Sequence, residues 1–258
     1  MFNFDFKRAE ELEVGDWVKY PNLYYNNSRL RSISEVELEY WWFAGLWLGD
    51  GWTSGNRVCI SFDTKNTSQL DRAKCFAKLW CGESVNIYQR NRKGSIELSF
   101  TSKDLVERLI STFNRYAEYK TIPEEVKHSQ LEIKEQLLLG YLDSDGCVYK
   151  DKRGYISLEY VSVNIDLLEG IQDILFSIGI VSNISKLRDD GIYDIYGKTG
   201  FQKKAYHLRV GHEGSVKFAK GLNFDKRSKL QKIDENNIKQ TQQMRKAGCF
   251  LSKDNKYI

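Results

Sequence analysis

Apolar positions along the chain follow two rhythms. Two dense apolar runs, WWFAGLWLGDGW at 41–52 and LLLGYLDSDGCV at 137–148, each end in Asp-Gly and predict buried helices. Leu70, Ala73, Phe76, Ala77 and Trp80 recur at helical spacing, as do Leu168, Ile171, Ile174, Leu175 and Ile178, so each set lines one face of an amphipathic helix. Period-two alternation marks strands at Val58-Cys59-Ile60-Ser61-Phe62, Val85-Asn86-Ile87 and Ile96-Glu97-Leu98-Ser99-Phe100. The last two flank Lys93-Gly94, a hairpin signal.

The two dense runs belong to a repeat. Superposing Asp50 on Asp145, an offset of 95, also brings Ser34 onto Ser129, Glu37 onto Glu132, Gly45 onto Gly140 and Gly51 onto Gly146. Ser34/Glu37 and Ser129/Glu132 read as capping boxes opening helices at 36–50 and 130–145, closed by Gly51 and Gly146. Beyond the motif the offset becomes 98, matching Phe62, Asn66 and Leu70 to Tyr160, Asn164 and Leu168, as three extra loop residues would give. The predicted fold class is α+β, a tandem pseudo-two-fold repeat of an α-ββ-α-ββ unit. The repeats span 34–128 and 129–235, between an N-terminal extension (1–33) and a C-terminal tail (236–258).

Composition narrows the class of protein. At 258 residues, 41% hydrophobic and 29% charged, the chain can bury a core without staples. No run approaches the roughly 18 apolar residues of a membrane helix, and MFNFDFKRAEELEVGD is no signal peptide. Five cysteines without a C-x-x-C pair read as reduced thiols in an intracellular protein. His207 and His212 have no third candidate nearby for a zinc site. The net charge of +4 says little, but its distribution says more. From Ser84 to Ile96 there is no acid beside Arg90, Arg92 and Lys93, and from Ile195 to His212 none beside Lys198, Lys203, Lys204 and Arg209. Interleaved with Tyr88, Tyr196 and Tyr206, these stretches suit either a phosphate backbone or a solvated face. Lys150, Lys152, Arg153, Lys186 and Arg188 are further basic candidates for such contacts.

The repeated helices carry the chemistry. A glycine inside a helix costs about 1 kcal/mol, which fits Gly45, Gly49 and Gly140 only if two backbones approach closely. Packing the helices together brings Asp50 and Asp145 to one end, where each opposes the macrodipole and repels the other. A bound divalent cation accounts for such a pair. Mg²⁺ takes carboxylates, water and phosphate, and metal between two aspartates suits phosphodiester hydrolysis. On repulsion alone, neutralising either aspartate should leave folding intact or slightly improved.

Phe43-Ala44-Gly45-Leu46-Trp47-Leu48-Gly49-Asp50-Gly51 and Leu138-Leu139-Gly140-Tyr141-Leu142-Asp143-Ser144-Asp145-Gly146 resemble the two motifs of a double-motif LAGLIDADG homing endonuclease. The resemblance implies metal bound by Asp50 and Asp145. Asp143, opposite Leu48, is then structural. It implies Mg²⁺, or Mn²⁺ or Ca²⁺ at the same acids, and double-stranded DNA under a saddle of two four-stranded antiparallel sheets. It further implies a monomer, with no membrane or obligatory protein partner, cutting both strands at a long, partly asymmetric site. The family's intein-borne members keep a lysine three residues before a proline, which carries over to Lys120 in Lys120-Thr121-Ile122-Pro123. The second-repeat counterpart lies in Phe224-Asp225-Lys226-Arg227-Ser228-Lys229-Leu230, with Lys229 favoured over Lys226. Glu11-Leu12-Glu13-Val14-Gly15-Asp16-Trp17-Val18 resembles the end of an intein's first splicing block. A complete intein would begin with Cys or Ser and end in His-Asn, whereas this chain begins Met1-Phe2 and ends Lys256-Tyr257-Ile258. An intein's endonuclease part or a free-standing relative is expected. The alternatives are a non-cleaving DNA- or RNA-binding protein on the same scaffold (a maturase or regulator) and the remnant of a protein-splicing intein.

Overall fold

The first half opens on α1 (Glu35–Asp50), which is buried around its whole circumference from Trp42 to Leu48. That is why its sequence is apolar on every side rather than along one stripe. Ser34 caps it, the hydroxyl accepting from the Glu37 amide at 3.2 Å. Glu37 does not return the bond, because its carboxylate pairs with Arg31 instead. After α1 come β1 (Gly51–Ser54), β2 (Arg57–Asp63), α2 (Thr67–Cys81), β3 (Ile87–Arg92), β4 (Ser95–Thr101) and α3 (Lys103–Phe113). The strands form one antiparallel sheet in the order β1-β2-β4-β3. Arg92 pairs with Ser95 across the two-residue turn Lys93-Gly94, where Gly94 takes φ +85°, a conformation that suits glycine. The computed structural model describes Glu11, residues 31–195 and residues 198–221.

A linker then leads through α4 (Glu124–Lys127) to the second half: α5 (Leu131–Asp143), β5 (Gly146–Lys150), β6 (Ile156–Ser162), α6 (Ile165–Ser177), β7 (Ser182–Arg188), β8 (Gly191–Ile195), β9 (Lys198–Gln202), β10 (Ala205–Val210) and α7 (His212–Gly221). Its main sheet runs β5-β6-β10-β7, the order of the first sheet once β10 is matched to β4. Each half is therefore α-ββ-α-ββ with a third helix, α3 or α7, added at its end. The three extra residues of the second copy fall in the β5–β6 turn, 151–155 against 55–56 in the first, and a further insertion forms a separate hairpin, β8-β9, between β7 and β10. Most of the N-terminal extension, the C-terminal tail, and both Lys226 and Lys229 lie outside the described residues.

Two local expectations fail in the second half. Gln130, not Ser129, is the N-cap of α5, and the Ser129 hydroxyl instead donates to the Val126 carbonyl at 2.7 Å. That carbonyl belongs to the preceding turn, α4. Helix α5 also stops at Asp143, capped by Ser144 rather than by Gly146. Asp50 is thus the last residue of its helix, whereas Asp145 stands two residues beyond its own.

The helices α1 and α5 pack directly on each other. A Cβ on Gly45 would lie 2.1 Å from the Leu137 carbonyl oxygen, and one on Gly140 would lie 1.9 Å from the Trp42 carbonyl oxygen. Such contacts are with backbone, which cannot give way. One on Gly49 would meet the Ser144 hydroxyl at 2.2 Å. Asp143, buried at this interface, accepts from the Trp42 indole N–H at 3.1 Å, in keeping with a structural role.

Candidate active site and nucleic-acid interface

The helix pair ends at Asp50, partly buried, and Asp145, exposed. Lys120 lies beneath them, only 2% exposed, on the linker between the halves. Its ammonium donates to the carbonyls of Trp47 (2.7 Å), Leu48 (3.1 Å) and Gly51 (2.9 Å) and sits 4.1 Å from the centre of the Trp47 ring. Three protons meet three carbonyls, the orphan acceptors at the end of α1. Burial lowers the Lys120 pKa to about 8, while the charges of Asp145 and Asp50 oppose the fall. One buried cation therefore serves both acids and the negative end of the α1 dipole. The same carboxylates, after burial itself, help to push the Tyr141 phenol up; its hydroxyl donates to the Val161 carbonyl at 2.8 Å.

The linker holding Lys120 is fixed from both sides. Asn114, at φ +68°, donates its side-chain amide to the Tyr119 carbonyl at 2.9 Å. Asn164, the N-cap of α6, accepts from the Asp166 amide and donates to the Lys120 carbonyl at 2.8 Å. Ile122 packs into the space over Gly170, where a Cβ would come within 2.7 Å. The resemblance to intein-borne relatives singles out Lys120, but nothing in the sequence announced its burial or its three carbonyl partners.

The sheets present one face to the helices and one away from them. On the first sheet Tyr88, Arg90 and Arg92 alternate onto the outward face, opposite Ser99, Glu97 and Ser95. Arg57 and Trp52 share that face, with the Arg57 guanidinium 5.2 Å from the Tyr88 ring centre. Alternation in β2 around buried Val58 could have identified Arg57. On the second sheet the outward face carries Cys147 and Tyr149 from β5, Glu159 from β6, and His207 and Arg209 from β10.

Other candidate contacts divide between several places. Lys150 ends β5 opposite buried Ile156, and Lys152 and Arg153 occupy the β5–β6 turn. Lys186 is in register with Tyr206, which packs on the core, so it stands on the helix side of its sheet and pairs with Asp189 at 2.8 Å. Arg188 donates to the Lys203 carbonyl at 3.1 Å. Lys198 begins β9, and Lys203 and Lys204 join β9 to β10. Acids remote in sequence temper the basic stretches. Glu97 pairs with Arg92 (2.8 Å), Glu118 with Lys203, and Glu159 with Arg209 (3.2 Å).

This arrangement is a double-motif LAGLIDADG homing-endonuclease fold, two α+β halves joined through their motif helices. Residues 132–223 match the family described as LAGLIDADG-like domain. Structures of the homing endonuclease I-DmoI superpose with a TM-score of 0.51 at 17% identity, covering 73% of this chain and 90% of that one. One is in complex with DNA and Ca (TM-score 0.51, 16% identity). Among curated proteins, the DNA polymerase of Thermococcus sp. (strain GE8) is 25% identical over 231 residues, 87% of this chain but 13% of that protein. The ribonucleoside-diphosphate reductase large subunit of Invertebrate iridescent virus 6 is 37% identical over 76 residues, 30% of this chain and 8% of that protein. The chain thus spans a small part of the curated relatives it matches. Among the described residues no helix is long and apolar enough to cross a membrane.

Proposed function

We propose that this chain is a site-specific, homing-type endonuclease that cuts both strands of DNA at a long, partly asymmetric target, and that it is borne by an intein. The observation that carries the reading is the placement of Asp50 and Asp145 at the end of the paired motif helices, both acting on the buried Lys120. A non-cleaving scaffold has no need of that costly grouping. The insertion reading is supported by the match covering most of this chain but 13% of a DNA polymerase.

The donor set suits a hard divalent cation. Two carboxylates stand at the site, and among the described residues no cluster of three or more His, Cys, Asp and Glu side chains gathers anywhere. Mg²⁺ binds through one or two carboxylates with water and phosphate completing its shell, so Asp50 and Asp145 would hold it, or Mn²⁺ or Ca²⁺, against the DNA. Such an ion supplies a nucleophilic water and charge on the leaving oxygen. Lys120 contributes a fixed positive charge beneath the reacting phosphate rather than a free hydrogen-bond donor, since carbonyls already take its protons. Tyr88, Arg57, Arg90 and Arg92 on one sheet, and Arg209 on the other, face the duplex.

A randomised duplex library incubated with the protein and Mg²⁺, followed by sequencing of cut ends, tests the reading. Recurrent double-strand breaks within one long sequence are expected. Selective binding of duplex without cutting would overturn the nuclease in favour of the non-cleaving scaffold.

A further inference from the structure

The outward face of the second sheet carries a continuous hydrogen-bonded chain of four side chains from three adjacent strands. The Ser185 hydroxyl meets His207 Nε2 at 2.5 Å, His207 Nδ1 bonds Glu159, and Arg209 Nη2 donates to the same Glu159 oxygen at 3.2 Å. Ladder pairing sets these contacts, with Glu159 opposite Arg209 and His207 opposite Ser185. A carboxylate only accepts, so His207 Nδ1 donates to Glu159, and Nε2 faces the serine hydroxyl. Exposure is graded along the chain: the side chains of His207 and Glu159 are 15% and 18% exposed, that of Arg209 57%. Two members are sunk into the sheet, and one stands clear of it.

Resting on the DNA reading above, we infer that Ser185, His207 and Glu159 are positioning residues that hold Arg209 as a base reader for guanine in the half-site under the second repeat. A guanidinium has five N–H donors, and Glu159 occupies one of its nitrogens, leaving a fork for the O6 and N7 edge of guanine. An arginine already held loses less side-chain entropy when a base takes it, which sharpens choice among sequences. Glu159 itself argues for this role. A carboxylate facing a polyanion weakens binding to every sequence alike. A face built for affinity alone would carry no acid there.

Binding selection from a randomised duplex library, in EDTA so that no strand is cut, tests the inference on the full chain. The wild-type protein is expected to select guanine at one position of the half-site under the second repeat. Arg209→Lys keeps the charge and the fold but loses the fork, and should weaken that preference about tenfold or more, by lowering affinity for the guanine-bearing duplex, while affinity for non-specific duplex changes little. Glu159→Gln should weaken the same preference while raising affinity for non-specific duplex several-fold. Raised affinity with the guanine preference intact would reduce Glu159 to a repelling charge and overturn the proposal. An unchanged preference in Arg209→Lys would overturn it too. Failure of the wild-type protein to bind any duplex would instead overturn the DNA reading on which the inference rests.

Discussion

Gly45 packs against the carbonyl three residues before Gly140, and Gly140 packs against the carbonyl three residues before Gly45. The reciprocity is the pseudo-two-fold axis of the molecule expressed in two residues. It sets the distance between α1 and α5, and with it the spacing of the acids at their ends.

Gly45→Ala or Gly140→Ala should each destabilise the protein by about 3 kcal/mol, because the added methyl meets backbone that cannot retreat without separating the helices. The double variant should cost less than the sum, since one separation relieves both clashes. Urea denaturation of the three variants measures this; full additivity would mean that the two contacts yield independently.

Asp50→Asn and Asp145→Asn should each abolish or severely reduce Mg²⁺-dependent cleavage while leaving DNA binding largely intact. Repulsion between the acids suggests that either change is neutral or favourable for folding, but the burial of Lys120 reverses that sign. Each aspartate supports a cation that desolvation disfavours, with Asp145 the larger support. Both variants should lose stability without metal, by about 1 kcal/mol and more for Asp145→Asn. Thermal unfolding in EDTA checks the order, and a rise in Tm for either variant would contradict it.

Glu135 on α5 has its pKa raised to about 7, by burial first and by Glu132 second. A carboxyl whose folded pKa exceeds its unfolded value binds its proton more tightly in the native state. Its ionisation therefore costs stability progressively as pH rises from about 4.5 to about 7. Discounted for partial exposure, Glu135→Gln should stabilise by about 1–2 kcal/mol above pH 7 and by nothing below pH 4.5. Paired denaturation curves at pH 4.5 and 8 read the difference. A gain of equal size at both would remove the titration as its cause.

Cys147 and Cys75 are both exposed, but Cys147 lies on the outward face of the second sheet and Cys75 on helix α2. Specific duplex should therefore protect Cys147 from maleimide and leave Cys75 reactive, as peptide mass spectrometry would show. Arg90→Ala and Arg57→Ala should weaken binding and lower the slope of affinity against salt by about one each. Equal labelling of Cys147 with and without DNA would put the duplex elsewhere.

Much of the fold could be read from residues a few positions apart. The duplication, the glycine-bearing helices, the amphipathic α2 and α6 and the Lys93-Gly94 turn all rest on periods of two or 3.6 and on the needs of a tight turn. Those needs act within one element, so the sequence alone determined them. Other features depend on which remote element lies alongside. The α4 turn drew Ser129 away from α5. Two acid-free stretches acquired Glu97, Glu118 and Glu159 as partners, because strands distant in sequence are neighbours in a sheet. Lys120 became a buried cation only when the linker closed over the end of α1. Charge and burial depend on distances in space, and packing of the two halves decides these.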